Sequence, residues 1–218
     1  MSAILELQDI SIQFSNNTLF NELNLAVNKG EICCIRTGVL DGGSTLLKCC
    51  AGLILPTSGL VHLEGKSIDQ YSDCELFKKV SYCQENAGLI SIFSNYNNLL
   101  LPINYHLQIN SKILAARISN IAEKFGLSDV LNKEPYQLND VQISLFTLVR
   151  ALTIESEIIL LDELQSGMSV AMRQRVLELI RAYSNEYGYT FIMTTTAGDD
   201  LRFADRVFSI KNQQLMEE

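Results

Sequence analysis

Several features that would place the chain in a particular class of protein are missing from its 218 residues. No apolar run reaches the length of a transmembrane helix. The N-terminal stretch lacks the basic segment and the cleavage site of a signal peptide, so we expect a cytoplasmic protein. Charged residues make up only 19% of the sequence, and the net charge of −8 makes binding to the phosphates of a nucleic acid unfavourable.

The six cysteines fit neither a metal site nor a disulfide framework. Four of them form the adjacent pairs Cys33-Cys34 and Cys49-Cys50, which lie inside apolar stretches. Zinc sites and disulfide-rich domains space their cysteines differently. We therefore expect buried, reduced thiols.

The composition is that of a folded protein, with 47% hydrophobic residues. The length allows one well-buried core and favours a single domain with a subdomain over two separate domains. No internal repeat or low-complexity segment interrupts it.

Hydrophobic periodicity predicts an α/β fold. Residues 4–14 and 19–27 alternate apolar and polar, which is typical of half-buried antiparallel strands. Short apolar strands are predicted over residues 32–35, 60–63, 80–84, 158–161 and 190–194, and helices over residues 44–48, 74–79, 111–125, 141–152, 171–183 and 199–204. A hairpin is predicted over residues 207–216. Strands and helices that alternate in this way predict a sheet with helices on both faces.

The stretch over residues 32–52 has the layout of a phosphate-binding loop: a strand, a loop with glycines, and a helix that begins near Ser44 and Thr45. The positive end of such a helix and its free N–H groups favour an anion. The pattern G-x-x-x-x-G-K-[ST] also requires a lysine, but Gly43 occupies its position. Lys48 lies one turn further along the helix and is too distant to replace it.

Several motifs in a fixed order resemble those of the ATP-binding subunit of an ABC transporter. Residues 37–45 correspond to the Walker A loop, residues 158–163 to a complete Walker B motif, and residues 166–169 to the D-loop. The LSGGQ signature corresponds to Leu138, Asn139, Asp140, Val141 and Gln142, and the switch histidine corresponds to Thr195-Thr196. The resemblance implies one ABC-type P-loop NTPase domain over residues 1–218. Its mixed core sheet would have helices on both faces, with an antiparallel β subdomain and an α-helical subdomain at about residues 86–155.

The resemblance also implies roles for individual residues. Glu163 would be the general base and Gln84 the link to the membrane partner. ATP would contact the positions of Phe14, Gly38, Gly42, Gly43, Ser44, Thr45 and Asp162, and Mg²⁺ would bind through Thr45 and Asp162 if a nucleotide binds. The implied partners are a membrane permease subunit, which would dock near residues 84–105, and a second ABC ATPase subunit in a homodimer or heterodimer. The implied location is peripheral, on the inner face of the cell membrane.

The departures from the family pattern favour a subunit that does not hydrolyse ATP. Two loop glycines are replaced by Thr37 and Leu40, and Asp41 adds a negative charge near the expected phosphates. The lysine, the signature serine and the switch histidine, which all act on the same γ-phosphate, are absent. Two alternatives remain open at this stage: a working ATPase with an unusual loop, and a scaffold without a permease.

Arg36 ends the strand that precedes the loop, where the family usually has an aliphatic residue. Because a buried guanidinium requires a partner, we expect a salt bridge from Arg36 to Asp162 or Glu163, and the alternative is that Arg36 turns out to solvent through the mouth of the loop. This expectation assumes that the strands preceding Arg36 and Asp162 are neighbours.

Overall fold

The computed structural model describes residues 3–14, 17–38, 40–84, 88–107, 109–196 and 201–218. Within these ranges, the chain forms one antiparallel sheet, one mixed sheet and the helices that cover the mixed sheet. The predicted α/β class is confirmed.

The antiparallel sheet has the strand order β2-β1-β4-β5. Its strands are β1 (Ala3–Phe14), β2 (Asn17–Asn28), β4 (Ser58–Leu63) and β5 (Lys66–Ser67). In β1 the buried Leu5 and Leu7 flank Glu6, as expected for a strand with one face on the core. The alternation predicted over residues 4–14 and 19–27 therefore identified both long strands.

The mixed sheet has the order β10-β9-β3-β8-β7-β6. Its strands are β3 (Ile32–Thr37), β6 (Val80–Cys83), β7 (Ile158–Leu161), β8 (Thr190–Thr196), β9 (Arg206–Lys211) and β10 (Gln214–Glu217). All neighbours are parallel except β9 and β10, which form the predicted hairpin. Strand β8 lies between β3 and β7, so the assumption that these two strands are neighbours was wrong.

The described residues form six α-helices. They are α1 (Gly43–Cys50), α2 (Asp73–Lys79), α3 (Asn95–His106), α4 (Ser111–Lys124), α5 (Asp140–Ile154) and α6 (Val170–Tyr187). Helix α3 was not predicted. The helix predicted over residues 199–204 is not confirmed, because residues 199 and 200 lie outside the described ranges and residues 201–204 form a turn.

The mixed sheet separates two apolar cores. Alternate residues such as Cys33 and Ile35 pack with α1 and the antiparallel sheet. The intervening residues Ile32 and Cys34 pack with the helices on the other face. A parallel sheet covered on both faces is built from continuous apolar strands, which explains the apolar runs in the sequence.

All six cysteines are free, and five of them are buried. Burial raises the pKa of Cys49 to about 11 and that of Cys34 to about 12, so these thiols stay protonated. The expectation of buried, reduced thiols is confirmed for every cysteine except Cys74, which is exposed. In the part of the chain that the structure describes, no helix is long and apolar enough to span a membrane.

Candidate functional site

The candidate site lies where the parallel strands β3, β7 and β8 end. Thr37 is the last residue of β3, Asp162 and Glu163 directly follow β7, and Thr194 lies near the end of β8. The carboxyl ends of parallel strands meet at one edge of a sheet, which is where α/β proteins bind their ligands. The first turn of α1 approaches this edge, and the described residues of the loop before it are residue 38 and residues 40–42.

The loop keeps left-handed backbone conformations at two positions of the Walker A pattern. Gly42 has φ 90°, and Leu40 has φ 68° despite its side chain. For a residue with a Cβ, this conformation costs about 1–2 kcal/mol. Leu40 is 92% exposed, and the side chain of Leu19 lies against Gly42. A positive φ is therefore retained at position 40, where Leu40 replaces a glycine of the family loop.

Asp41 binds the backbone of its own loop. The Gly38 amide donates to Asp41 Oδ2 at 2.6 Å. In a phosphate-binding loop such amides point to the ligand. Here a carboxylate of the chain accepts from one of them, so the negative charge predicted to lie near the phosphates is inside the loop.

Asp162 is 4% exposed and is surrounded by hydroxyl groups. Ser44 Oγ donates to its Oδ1 at 3.0 Å and Thr194 Oγ1 at 2.9 Å, while the Tyr82 hydroxyl donates to Oδ2 at 2.6 Å. Burial, and then the hydrogen bond to Asp162, raise the pKa of Tyr82 well above its usual range. Both carboxylate oxygens are therefore satisfied by donors of this chain.

Glu163 is tied to the loop by Thr37. Thr37 Oγ1 donates to Glu163 Oε1 at 3.1 Å and lies 3.4 Å from the carbonyl oxygen of Thr195. The Glu163 amide donates to Thr194 Oγ1 at 3.0 Å, and Glu163 itself has φ 50°. The hydroxyl of Thr194 thus connects the backbone of Glu163 to the carboxylate of Asp162.

The other residues that were predicted to bind the nucleotide do not all lie at this site. From the first turn of α1, the side chain that reaches Asp162 is Ser44, whereas the prediction paired Thr45 with Asp162. Phe14 is 53% exposed at the end of β1, and Gln84 is exposed just after β6. Of the predicted polar residues, Ser44, Asp162 and Glu163 are the ones brought together.

The residues equivalent to the signature form the beginning of α5. Leu138 precedes Asn139, which is the N-cap, and Asp140 and Val141 begin the first turn. The Gln142 amide donates to Asn139 Oδ1 at 2.8 Å, and the Asn139 amide donates to Gln142 Oε1 at 3.1 Å. This reciprocal capping box satisfies two of the amides at the helix N-terminus.

The switch-equivalent residues lie at the end of β8, where Thr195 pairs with Arg36 and Thr196 with Thr37. Thr195 is buried and Thr196 is exposed. Arg36 forms its salt bridge with Glu218, with 3.2 Å between Nη2 and Oε2. The predicted bridge to Asp162 or Glu163 is therefore replaced by another one, since β8 separates β3 from β7.

Residues 20–166, more than half of the chain, match the family model described as ABC transporter. The chain belongs to the ABC transporter ATP-binding family. It is 31% identical over 224 residues to the methionine import ATP-binding protein MetN of Brucella abortus, covering 99% of this chain and 59% of MetN. It is 28% identical to the probable iron export ATP-binding protein FetA of Escherichia coli, covering 96% of this chain and 92% of FetA.

Solved ATP-binding cassettes share this fold. The cassette MJ0796, solved as a dimer in a post-hydrolysis state with ADP and Pi, has a TM-score of 0.88 and 22% identity, covering 98% of this chain and 97% of its own. The structure of cbiO1 from Clostridium perfringens, part of the transporter complex cbiONQ, has a TM-score of 0.84 and 21% identity, covering 99% and 88%. The predicted ABC-type fold is confirmed.

The side chains of this ABC family member do not fit the Mg²⁺ and ATP that the family implies. Asp162 already accepts three hydrogen bonds, the carboxylate of Glu163 is bonded to Thr37, and Asp41 accepts from a loop amide. A nucleotide would have to displace these contacts without the lysine that Gly43 replaces.

Sequence reasoning missed Tyr82 and Thr194 because both lie in strands that were interpreted only as apolar core. A usable signal was present: each is a hydroxyl residue close to the carboxyl end of a predicted parallel strand. Such positions face the edge of the sheet where ligands bind.

Proposed function

We propose that this chain is a structural or regulatory subunit of an ABC-type membrane transporter and that it does not hydrolyse ATP. The observation that carries this proposal is that amides at the N-terminus of α5 are already hydrogen-bonded within the chain. In the family, the signature donates to the γ-phosphate bound by the opposite subunit. Here the amides of Asn139 and Gln142 are used inside the capping box.

The charge at this helix end supports the same proposal. Asp140 lies in the first turn of α5 and is exposed. A carboxylate at a helix N-terminus is stabilised by the helix dipole, and it offsets the attraction of that end for another anion. An approaching γ-phosphate would therefore meet a negative charge and two engaged amides.

A groove beside the mixed sheet supports docking to a membrane permease subunit. It has a volume of about 520 Å³ and is lined by residues of β6, α3 and α5, among them Leu101, Tyr105 and Arg150. Tyr105 is 83% exposed and Leu101 is 42% exposed, which are high values for apolar side chains. We place the subunit on the inner face of the cell membrane, with the groove towards the permease and a second ABC ATPase subunit as its dimer partner.

The similar proteins support a role in a transporter but do not identify the transported substrate. One is named for methionine import and another for probable iron export. The chain spans 59% of the length of MetN, so the import activity of the whole protein is not assigned to this chain.

An ATP-hydrolysing motor subunit is the second candidate function. It is favoured by the contact between Ser44 and Asp162 at 3.0 Å, because this pair occupies family positions for binding a nucleotide with Mg²⁺. The base position is also filled, by Glu163.

Steady-state ATPase measurements on the purified chain separate the two candidates. We expect phosphate release at the background rate, unchanged by Glu163→Gln. Turnover that Glu163→Gln abolishes would establish the motor subunit and end the proposal.

Docking is tested by co-purification with the membrane subunit. Tyr105→Glu should release the chain from the membrane fraction, because it places a charge in the groove without altering the core. Tyr136→Glu is the matched control, since Tyr136 is 74% exposed outside the groove. If both variants co-purify as well as the wild type, the permease does not bind in this groove.

A further inference from the structure

We propose that Thr37 determines which side chains can be accommodated at position 43. Its methyl group would thereby exclude a lysine from that position of the loop. This inference rests on the proposed loss of ATP hydrolysis and gives it a steric cause. It concerns two residues, Thr37 at the end of β3 and Gly43 at the start of α1.

The space beside Gly43 is already filled. A Cβ added at Gly43 would lie 2.5 Å from Thr37 Cγ2, 3.4 Å from Thr37 Cβ and 3.0 Å from Thr194 Cγ2. The contact at 2.5 Å is far below the 3.5–4.0 Å at which carbon atoms pack favourably. Any side chain at position 43, lysine included, therefore needs the methyl group of Thr37 to move.

Thr37 cannot move its methyl group easily. The residue is 7% exposed, and its hydroxyl donates to Glu163 Oε1 at 3.1 Å and lies near the carbonyl oxygen of Thr195. A β-branched side chain carries both groups on one carbon, so rotating the methyl away also rotates the hydroxyl away from Glu163. The hydrogen bond to Glu163 thus holds the methyl group against Gly43.

The two groups of Thr37 can be separated by substitution. Thr37→Ser keeps the hydroxyl and removes the methyl, whereas Thr37→Val keeps a methyl and removes the hydroxyl. If the methyl group is the obstacle, serine should relieve the contact with position 43 and valine should not.

Thermal unfolding of the full chain with Gly43→Ala tests the contact itself. Alanine normally stabilises a helix relative to glycine. Here we expect a lower melting temperature than that of the wild type, recovery in Thr37→Ser/Gly43→Ala, and no recovery in Thr37→Val/Gly43→Ala. A Gly43→Ala variant as stable as the wild type, or equal stabilities of the two double variants, would overturn the inference.

Binding of a fluorescent ATP analogue with Mg²⁺ tests the consequence. A lysine contact to a phosphate is worth about 10- to 100-fold in affinity. We expect Thr37→Ser/Gly43→Lys to bind about that much more tightly than Thr37→Val/Gly43→Lys. Equal affinities of these two folded variants would refute the role of Thr37.

These outcomes are distinct from a failure of the proposed function. Turnover by the wild type would end the proposed function while leaving the stability comparison at position 43 unaffected. A background rate in the wild type together with a stable Gly43→Ala variant would preserve the proposed function and reject its assignment to Thr37.

Discussion

Removing one oxygen atom with Tyr82→Phe tests whether the hydroxyl groups around Asp162 stabilise the fold without a ligand. The Tyr82 hydroxyl donates to Asp162 Oδ2 at 2.6 Å, and Asp162 is 4% exposed. The aromatic ring is retained, so the change removes a donor and leaves the packing nearly unaltered.

The expected loss follows from the charge of the acceptor. A hydrogen bond to a charged group contributes about 1.5–3 kcal/mol to the free energy of unfolding. For a chain of this size, 1 kcal/mol corresponds to about 2–4 °C. Tyr82→Phe should therefore lower the melting temperature at pH 7 by about 3–12 °C.

Tyr183→Phe is the matched control for this measurement. Tyr183 is 6% exposed, and its hydroxyl has no hydrogen-bond partner among the described residues. Removing that hydroxyl should leave the melting temperature unchanged or slightly raised, because no protein contact is lost. Equal shifts in the two variants would show that the loss in Tyr82→Phe comes from the ring environment.

The pH dependence gives an independent check. Burial and the bond to Asp162 raise the pKa of Tyr82 in the folded chain, whereas the unfolded chain loses this proton near pH 10. The contribution is therefore complete below pH 10 and is lost as the pH rises through the folded pKa. The stability difference between the wild type and Tyr82→Phe should shrink above pH 10. A difference that is negligible at pH 7 would refute the reasoning.

Three further results are expected. Arg36→Leu should cost no more than about 1 kcal/mol in a urea melt, because its bridge to Glu218 joins partly exposed groups; a large loss would indicate a buried partner. Asn98→Ala should lower stability by about 1–3 kcal/mol or more, since the buried amide bonds backbone groups of residues 90–94; an unchanged melt would contradict this. At pH 8 only Cys74 should react rapidly with a thiol reagent, because burial raises the pKa of the other thiols; rapid reaction of a second thiol would count against this packing.

Much of the fold could be predicted from the spacing of hydrophobic residues along the sequence, because most strands and helices have one buried face or are buried throughout. Helix α3 escaped prediction for a physical reason. Its buried positions include Asn95 and Asn98, whose amides bond the backbone of neighbouring segments, and it contains Pro102. Polar residues that are buried because they cap other segments do not appear in an apolar pattern.

The candidate site was located by motif order, but its internal contacts depend on strand order. Asp162 and Glu163 were identified because they end an apolar strand in the expected series. The partner of Glu163 could not be deduced, because it required knowing that β8 lies between β3 and β7. That arrangement brings Thr37 and Thr194 to the carboxylates and leaves Arg36 to bind Glu218.

Tyr82 connects the two parts of the molecule on which the proposed function depends. It is one of the residues that line the groove that we assign to the permease, while its side chain packs on the α1 face of the sheet and its hydroxyl donates to the buried carboxylate of Asp162. A buried carboxylate is costly unless donors satisfy it, and here three hydroxyls of the chain do so. The carboxylate of Asp162 is therefore held by contacts within the chain, as we expect for the proposed subunit that does not hydrolyse ATP.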